Sequence, residues 1–177
     1  MSPAFAIRPA APADAPAIAH VHVTSWRETY TGLMPEDFLA RMTADAARER
    51  RTANWTAASN DPAQVVLVAE QHGQVVAFAS GGPARDHPGV DAELYALYAL
   101  NAVHGQGIGR ALLSALAQQR KARGSRSLAL WVLDTNPARG WYARRGGRED
   151  GEKVVPLPGG GELREVRLVW DNWPGTT

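Results

Sequence analysis

The chain reads as a single α/β (α+β) domain, and three observations predict it. Apolar runs of strand length alternate with stretches whose apolar residues recur at helical spacing. Pairs of neighbouring strand runs are joined by short polar or glycine-rich turns, which predicts antiparallel hairpins. At the centre, an apolar run from Glu93 to Leu100 passes through Asn101 to His104 into Gly105-Gln106-Gly107-Ile108-Gly109-Arg110. There an amphipathic helix begins, with Ile108, Ala111, Leu112, Ala115 and Leu116 on one face. With 177 residues, 45% of them hydrophobic, the chain has the length and apolar content for one substantial core.

The elements follow in order. Phe5 to Ile7 form a short first strand ended by Pro9 and Pro12, and Asp14 is placed to cap a helix running to about Thr29. On that helix Ala19, His22, Val23, Trp26 and Tyr30 share a face. Val23 reads as core, whereas His22, Trp26 and Tyr30 each pair an apolar body with a polar tip and fit either core or the wall of a cleft. Pro35 opens a second helix with Glu36 and Asp37 in its first turn, and a helical pattern resumes from Thr43 to about Trp55 before Asn60-Asp61-Pro62 breaks it. Val65 to Ala69 and Val75 to Ser80 form a hairpin around Gln71-His72-Gly73, and Gly81 to Gly89 is a loop able to edge a functional site. In the next strand simple alternation puts Glu93, Tyr95, Leu97 and Ala99 on one face and Leu94, Ala96, Tyr98 and Leu100 on the other. Ser127 to Leu133 is a further apolar strand centred on Trp131. Asp134 to Pro137 starts a short helix containing Trp141 and Tyr142 and stopped at Gly146-Gly147. Glu152 to Val155 and Glu162 to Val169 close the sheet as a hairpin, so the domain spans 1–170 with a tail over 171–177.

Composition narrows the function. The 19 basic and 18 acidic residues give a net charge of +1, which offers no field for nucleic acid or a membrane surface and points to a small-molecule partner. Cysteine is absent, which removes disulfides, thiolate metal ligands and a cysteine acyl-enzyme, and no metal site is expected. No signal peptide or spanning segment is visible, so a cytoplasmic location is expected.

The glycine loop opens a helix whose first backbone N–H groups have no intrahelical partner. That geometry suits a phosphate, although a turn that binds nothing has the same glycines. A dinucleotide fingerprint would need glycine where Arg110 stands, and a P-loop would need Gly-Lys before Ser or Thr. What His104-Gly105-Gln106-Gly107-Ile108-Gly109 does resemble is the acetyl-CoA loop of the GNAT superfamily of N-acetyltransferases. The likeness extends to the strand before it and to Arg110-Ala111-Leu112-Leu113 after it, while His104 stands where Gln or Arg is usual. The words Ser25 to Tyr30 and Gly32 to Pro35 resemble the opening helices of bacterial members, and Asn136 followed by Tyr142 resembles the family's segment of Asn, short helix and Tyr. Here that segment is one residue short, and Gly147 replaces the usual aromatic.

The resemblance implies the GNAT fold, a central mixed, mostly antiparallel sheet of six to seven strands flanked by about four helices. It implies transfer of an acetyl group from acetyl-CoA to a primary amine of a small molecule, by direct attack in a ternary complex. Glu93 would be the base, alone or through water, because the position five before Asn136, where some members carry a glutamate, holds Trp131. An exposed strand-end carboxylate is the alternative reading of Glu93. Tyr142 would serve the leaving thiolate, or else be a core tyrosine. Backbone N–H groups of Leu97, Tyr98 and Ala99 would meet the carbonyl oxygen, His104 to Arg110 would hold the diphosphate and Asn136 the pantetheine arm. Trp26 and Tyr30 would line the acceptor pocket, and a homodimer is common among members. An acyl-CoA sensor without chemistry, or a transferase for a larger acyl group or a protein or peptide amine, fits the same residues.

Overall fold

A computed structural model describes residues 4–172; most of the expected tail lies outside the described residues. Seven strands form one sheet in the order β1-β2-β3-β4-β5-β7-β6, with strands Ala6–Pro9 (β1), Val65–Gln71 (β2), Gln74–Pro83 (β3), Ala92–Ala99 (β4), Leu128–Leu133 (β5), Arg148–Pro156 (β6) and Glu162–Trp170 (β7). The α-helices are Ala15–Tyr30 (α1), Glu36–Thr43 (α2), Asp45–Asn60 (α3), Ile108–Ala122 (α4) and Ala138–Ala143 (α5). All strand pairs are antiparallel except β4 with β5, which meet in parallel only at Ala92 with Leu128 and Glu93 with Ala129. Beyond that point the two strands part and a cleft opens between the halves of the sheet. No helix among the described residues is long and apolar enough to cross a membrane.

Several local expectations change in physical detail. Asp14 does stand at the start of α1, but its carboxylate makes no cap bond and instead takes two hydrogen bonds from Arg8 at 2.8 and 2.9 Å. His72 and Gly73, at φ of 52° and 77°, make the tight turn of the β2–β3 hairpin, a conformation that matches the right-handed twist of the strands they join. Gly81 to Pro83 belong to β3 rather than to a loop, because they pair with Leu94, Glu93 and Ala92 of β4. Between Ser80 and Gly81 the register slips by one, and Tyr95 is the extra residue on β4. This bulge overturns simple alternation: Leu94 packs with Leu97 and Ala99 against α4, while Ala96 and Tyr98 pack under α1 and α3.

The α4 side of the sheet buries Leu67, Leu112, Leu116, Leu128, Leu130 and Leu168 completely or nearly so, the largest of three buried apolar clusters among the described residues. Trp170 is a fully buried member of it, so β7 reaches further than the expected end at Val169. On the opposite side α1 and α3 pack through an aromatic group in which His22 stacks on Tyr98 at 5.2 Å and lies 5.4 Å from Phe78 and 5.7 Å from Trp55. His22 is therefore core rather than cleft. Arg51 and the Trp55 indole both direct N–H groups at its Nδ1, at 3.0 and 3.2 Å.

Burial, with Arg51 adding repulsion, lowers the His22 pKa from 6.5 to about 3. The unfolded chain therefore takes up a proton below about pH 6.5 that the folded chain refuses until about pH 3, and stability falls with pH across that window. The slope due to this residue is at most about 1.4 kcal/mol per pH unit. His22→Asn, which keeps an acceptor near Nδ1 but does not titrate, should flatten the fall in melting temperature between pH 6 and pH 4; an equally steep fall would contradict the assignment.

Candidate active site

The cleft between β4 and β5 has a volume of about 340 Å³, and its wall includes Trp26, Tyr30, Glu93, Leu97, Tyr98, Asn136 and Tyr142. Thus both expected catalytic residues and both expected acceptor residues meet in one cavity. Burial of the tyrosines has a common consequence. It raises the pKa of Tyr30, Tyr98 and Tyr142, so all three keep their protons at neutral pH.

The backbone of β4 supplies donors along the open edge. Successive N–H groups of a strand point to opposite edges, and Leu100 donates to Val76 O of β3 at 3.1 Å. The N–H groups of Leu97 and Ala99 therefore face the edge that β5 has left, while that of Tyr98 faces β3. Of the three expected backbone donors, Tyr98 contributes its side chain instead: its hydroxyl lies 3.3 Å from that of Tyr30, whose oxygen also accepts from Asn136 Nδ2 at 3.4 Å. Asn136 is held as a fixture of the wall, since its Oδ1 also accepts the first N–H of α5, that of Ala138, at 2.9 Å.

The glycine loop lies at one end of this edge, tied to it by the His104 ring, whose Nε2 is 2.9 Å from Ala99 O. Gly105 and Gly107 stand at φ of 78° and 82°, in the left-handed region, and a Cβ on either would meet nothing within 4 Å. Gly107 is the N-cap of α4 and no side chain caps the helix. The N–H bonded back to Gly107 O is that of Ala111, at 3.0 Å, which leaves those of Ile108 and Gly109 outside the intrahelical ladder. Ile108 itself is buried in the core, so only its backbone is available, and the Gln106 amide accepts from Gln71 at 2.9 Å. At Gly109 a Cβ would lie 3.4 Å from the Trp141 ring, in ordinary van der Waals contact, so the α4 start and α5 pack closely against each other. An open glycine loop before an uncapped helix start fits a diphosphate.

Glu93 is buried, with a side chain only 8% exposed, and its carboxylate is clasped by Arg85. Burial alone would push the Glu93 carboxyl up, but the hydrogen bonds and charge of Arg85 outweigh it and hold it below the usual carboxylate range. His87 packs behind, 3.6 Å from Glu93 Oε1 and stacked on Trp131 at 5.6 Å, and the Lys153 ammonium lies 4.3 Å from the centre of the same indole. Sequence reasoning brought the 81–89 segment to the edge of the site but singled out neither Arg85 nor His87 within it, and it missed Lys153 and Glu165 of the last hairpin.

Comparison with known proteins agrees with this architecture. The family model described as Acetyltransferase (GNAT) family matches residues 23–147. The uncharacterized N-acetyltransferase YuaI of Bacillus subtilis is 34% identical over 165 residues, covering 93% of this chain and 91% of that one. Among solved structures, the ribosomal-protein-alanine N-acetyltransferase of Brucella melitensis is 30% identical with a TM-score of 0.73, over 93% of this chain and 98% of that one. YncA of Salmonella typhimurium, a putative acetyltransferase solved with its cofactor acetyl-CoA, is 25% identical with a TM-score of 0.72, over 98% and 96%. By its fold, its cleft and these relatives, the chain belongs to the acetyltransferase (GNAT) family.

Proposed function

We propose that the protein moves an acetyl group from acetyl-CoA to a primary amine of a small molecule, both bound at once in the β4–β5 cleft. One observation carries the reading: Glu93, Leu97 and Tyr142 line a single cleft, and the open β4 edge that bears the outward N–H groups of Leu97 and Ala99 runs on to the His104 contact and the glycine loop before α4. When bound, acetyl-CoA supplies an activated carbonyl carbon and a thiolate leaving group. Gly105 to Arg110 would hold its diphosphate, through backbone N–H groups reinforced by the positive end of the helix dipole.

The chain's own groups then have separate tasks. An alkyl ammonium has a pKa of about 10 and cannot attack until a base takes its proton. Glu93 does so, directly or through water, and is ionised across the working range because its pKa is lowered. Leu97 and Ala99 donate N–H bonds to the oxygen on which negative charge builds during attack. Tyr142 donates a hydrogen bond to the departing sulfur. Burial raises its pKa, so it steadies the thiolate as a donor and gives up no proton outright. Trp26 and Tyr30, with ring centroids 5.1 Å apart, border the acceptor side as aromatic surface. The clasp on Glu93 favours a second reading, an acyl-CoA sensor with its base disabled; thiol release with any amine would exclude it.

Three outcomes are expected. Tyr142→Phe should lower kcat about 10-fold to 100-fold with little change in acetyl-CoA affinity, and an unchanged kcat would remove the residue from the chemistry. Gly107→Val, which forces a β-branched residue to φ of 82°, should weaken acetyl-CoA binding at least about 10-fold by calorimetry; equal affinity would contradict the loop assignment. Glu93→Gln should cost about 100-fold in kcat/KM near pH 7 and progressively less toward the amine pKa of about 10, where free amine needs no base. A loss independent of pH would argue that Glu93 only shapes the pocket.

A further inference from the structure

The cleft holds a cation to which the chemistry above gives no task. Arg85 sits just beyond β3, and its guanidinium closes on both oxygens of Glu93: Nε donates to Oε2 at 3.1 Å and Nη2 to Oε1 at 3.1 Å. Its backbone N–H adds a third bond to Oε2, also at 3.1 Å. The same guanidinium lies 3.7 Å from the centre of the Tyr95 ring, and the Tyr95 hydroxyl is fixed to Pro83 O at 2.6 Å. A Cβ on Gly82 would come within 2.6 Å of that hydroxyl, so the glycine is what admits the ring. The bulge therefore builds a seat for one guanidinium. The two partners differ in access, since the Arg85 side chain is 63% exposed and that of Glu93 8%. The arginine meets an incoming solute first.

This arrangement discriminates between amines. An ammonium that reaches Glu93 finds both oxygens occupied, and a plain amine can release Arg85 only into water, with nothing given in exchange. An amine that carries its own carboxylate offers the guanidinium fork a second partner of the same planar, two-oxygen geometry. The Tyr95 ring, held through its hydroxyl, stays beneath the guanidinium as a fixed surface at 3.7 Å. Charge also closes: the other pair in the wall, Lys153 with Glu165 at 3.5 Å, is already balanced. A zwitterion entering between the Arg85 and Glu93 side chains leaves both the exposed guanidinium and the buried carboxylate with a partner, which a lone cation does not.

Resting on the transferase reading, we infer that Arg85 is the acceptor-recognition residue: the acceptor is an amine bearing a carboxylate, and Arg85 passes from Glu93 to that carboxylate as the acceptor docks, freeing Glu93 for the amine. The step is an exchange of ion pairs and changes no covalent bond.

The test is thiol release from acetyl-CoA over amino acids each matched with its decarboxylated amine, for the wild type, Arg85→Gln and Arg85→Lys. The wild type should favour the carboxylate-bearing member of its best pair by at least about 10-fold in kcat/KM, the worth of a charged hydrogen bond or two. Arg85→Gln should bring that ratio to about one or below, mainly through a higher KM for the amino acid. Arg85→Lys keeps the charge but not the fork, and it should keep part of the preference; it also serves if the Gln variant does not fold. A wild-type ratio near one, or an Arg85→Gln loss shared equally by both members, overturns the proposal. No release with any pair overturns it as well, and calorimetry then separates the cases: acetyl-CoA binding retained sinks the acceptor class alone, whereas binding absent sinks the transferase reading with it.

Discussion

Parallel pairing between β4 and β5 lasts for two residues, and the rest of the molecule is arranged around the place where it stops. A strand edge that loses its neighbour leaves backbone donors and acceptors unpaired, a cost the interior of a protein does not normally carry. Here it is carried where function needs it. Each half of the sheet is antiparallel and internally complete, β1 to β4 on one side and β5-β7-β6 on the other, so the halves can splay without losing their own ladders. The Tyr95 bulge sits two residues past the last point of pairing and changes which residues face which side. It turns Leu97 and Ala99 toward the α4 core with their N–H groups along the open edge, and leaves Tyr98 on the acceptor side.

A second constraint is electrostatic. A carboxylate as buried as that of Glu93 persists as an anion only if a cation and several donors compensate for lost hydration. Arg85 provides these, and in doing so lowers the basicity that a proton acceptor needs. The two demands pull in opposite directions, and exposure of the arginine lets both be met in turn. A fully buried Arg85 would lock the anion permanently, whereas a site without it would let burial raise the carboxyl pKa toward neutrality.

Legibility in the sequence followed the range of the interactions. The strand, glycine loop and helix from Glu93 to Leu116 were readable because each depends on neighbours within a few positions: glycines at positive φ, an uncapped helix start, an apolar face at helical spacing. The hairpin at His72-Gly73 and the break at Asn60-Asp61-Pro62 are equally local. The bulge was not readable, since nothing in Leu94-Tyr95-Ala96 says that Gly81 and Gly82 will lie opposite and that a Cβ on Gly81 would come 2.7 Å from Glu93 O. Strict alternation was the only rule available, and it failed at the one residue where the register slips. Arg85 and Lys153 were unreadable for the same reason: they reach the site from segments eight residues before and sixty residues after Glu93, through partners that only the folded sheet supplies.

Gly147 shows how a departure from the family pattern can be decided by packing. Where an aromatic residue is usual after Gly146, a Cβ would lie 2.9 Å from the Trp170 ring and 3.1 Å from both Leu168 and Tyr142 O, so no side chain fits. The aromatic mass comes instead from Trp170 at the end of β7. Its indole N–H donates to Arg145 O at 2.9 Å, and its ring meets Tyr142 edge to face at 6.1 Å. The short spacing between Asn136 and Tyr142 is accommodated in the same way, because the Asn136 side chain holds the first N–H of α5 at one end while Trp170 braces its last turn at the other. The orientation of Tyr142 toward the cleft therefore depends on a residue far away in sequence, at a position that reads as the margin of the domain. Shortening the chain before Trp170 would disturb the site from the side opposite the cleft, without touching any residue that faces the acceptor.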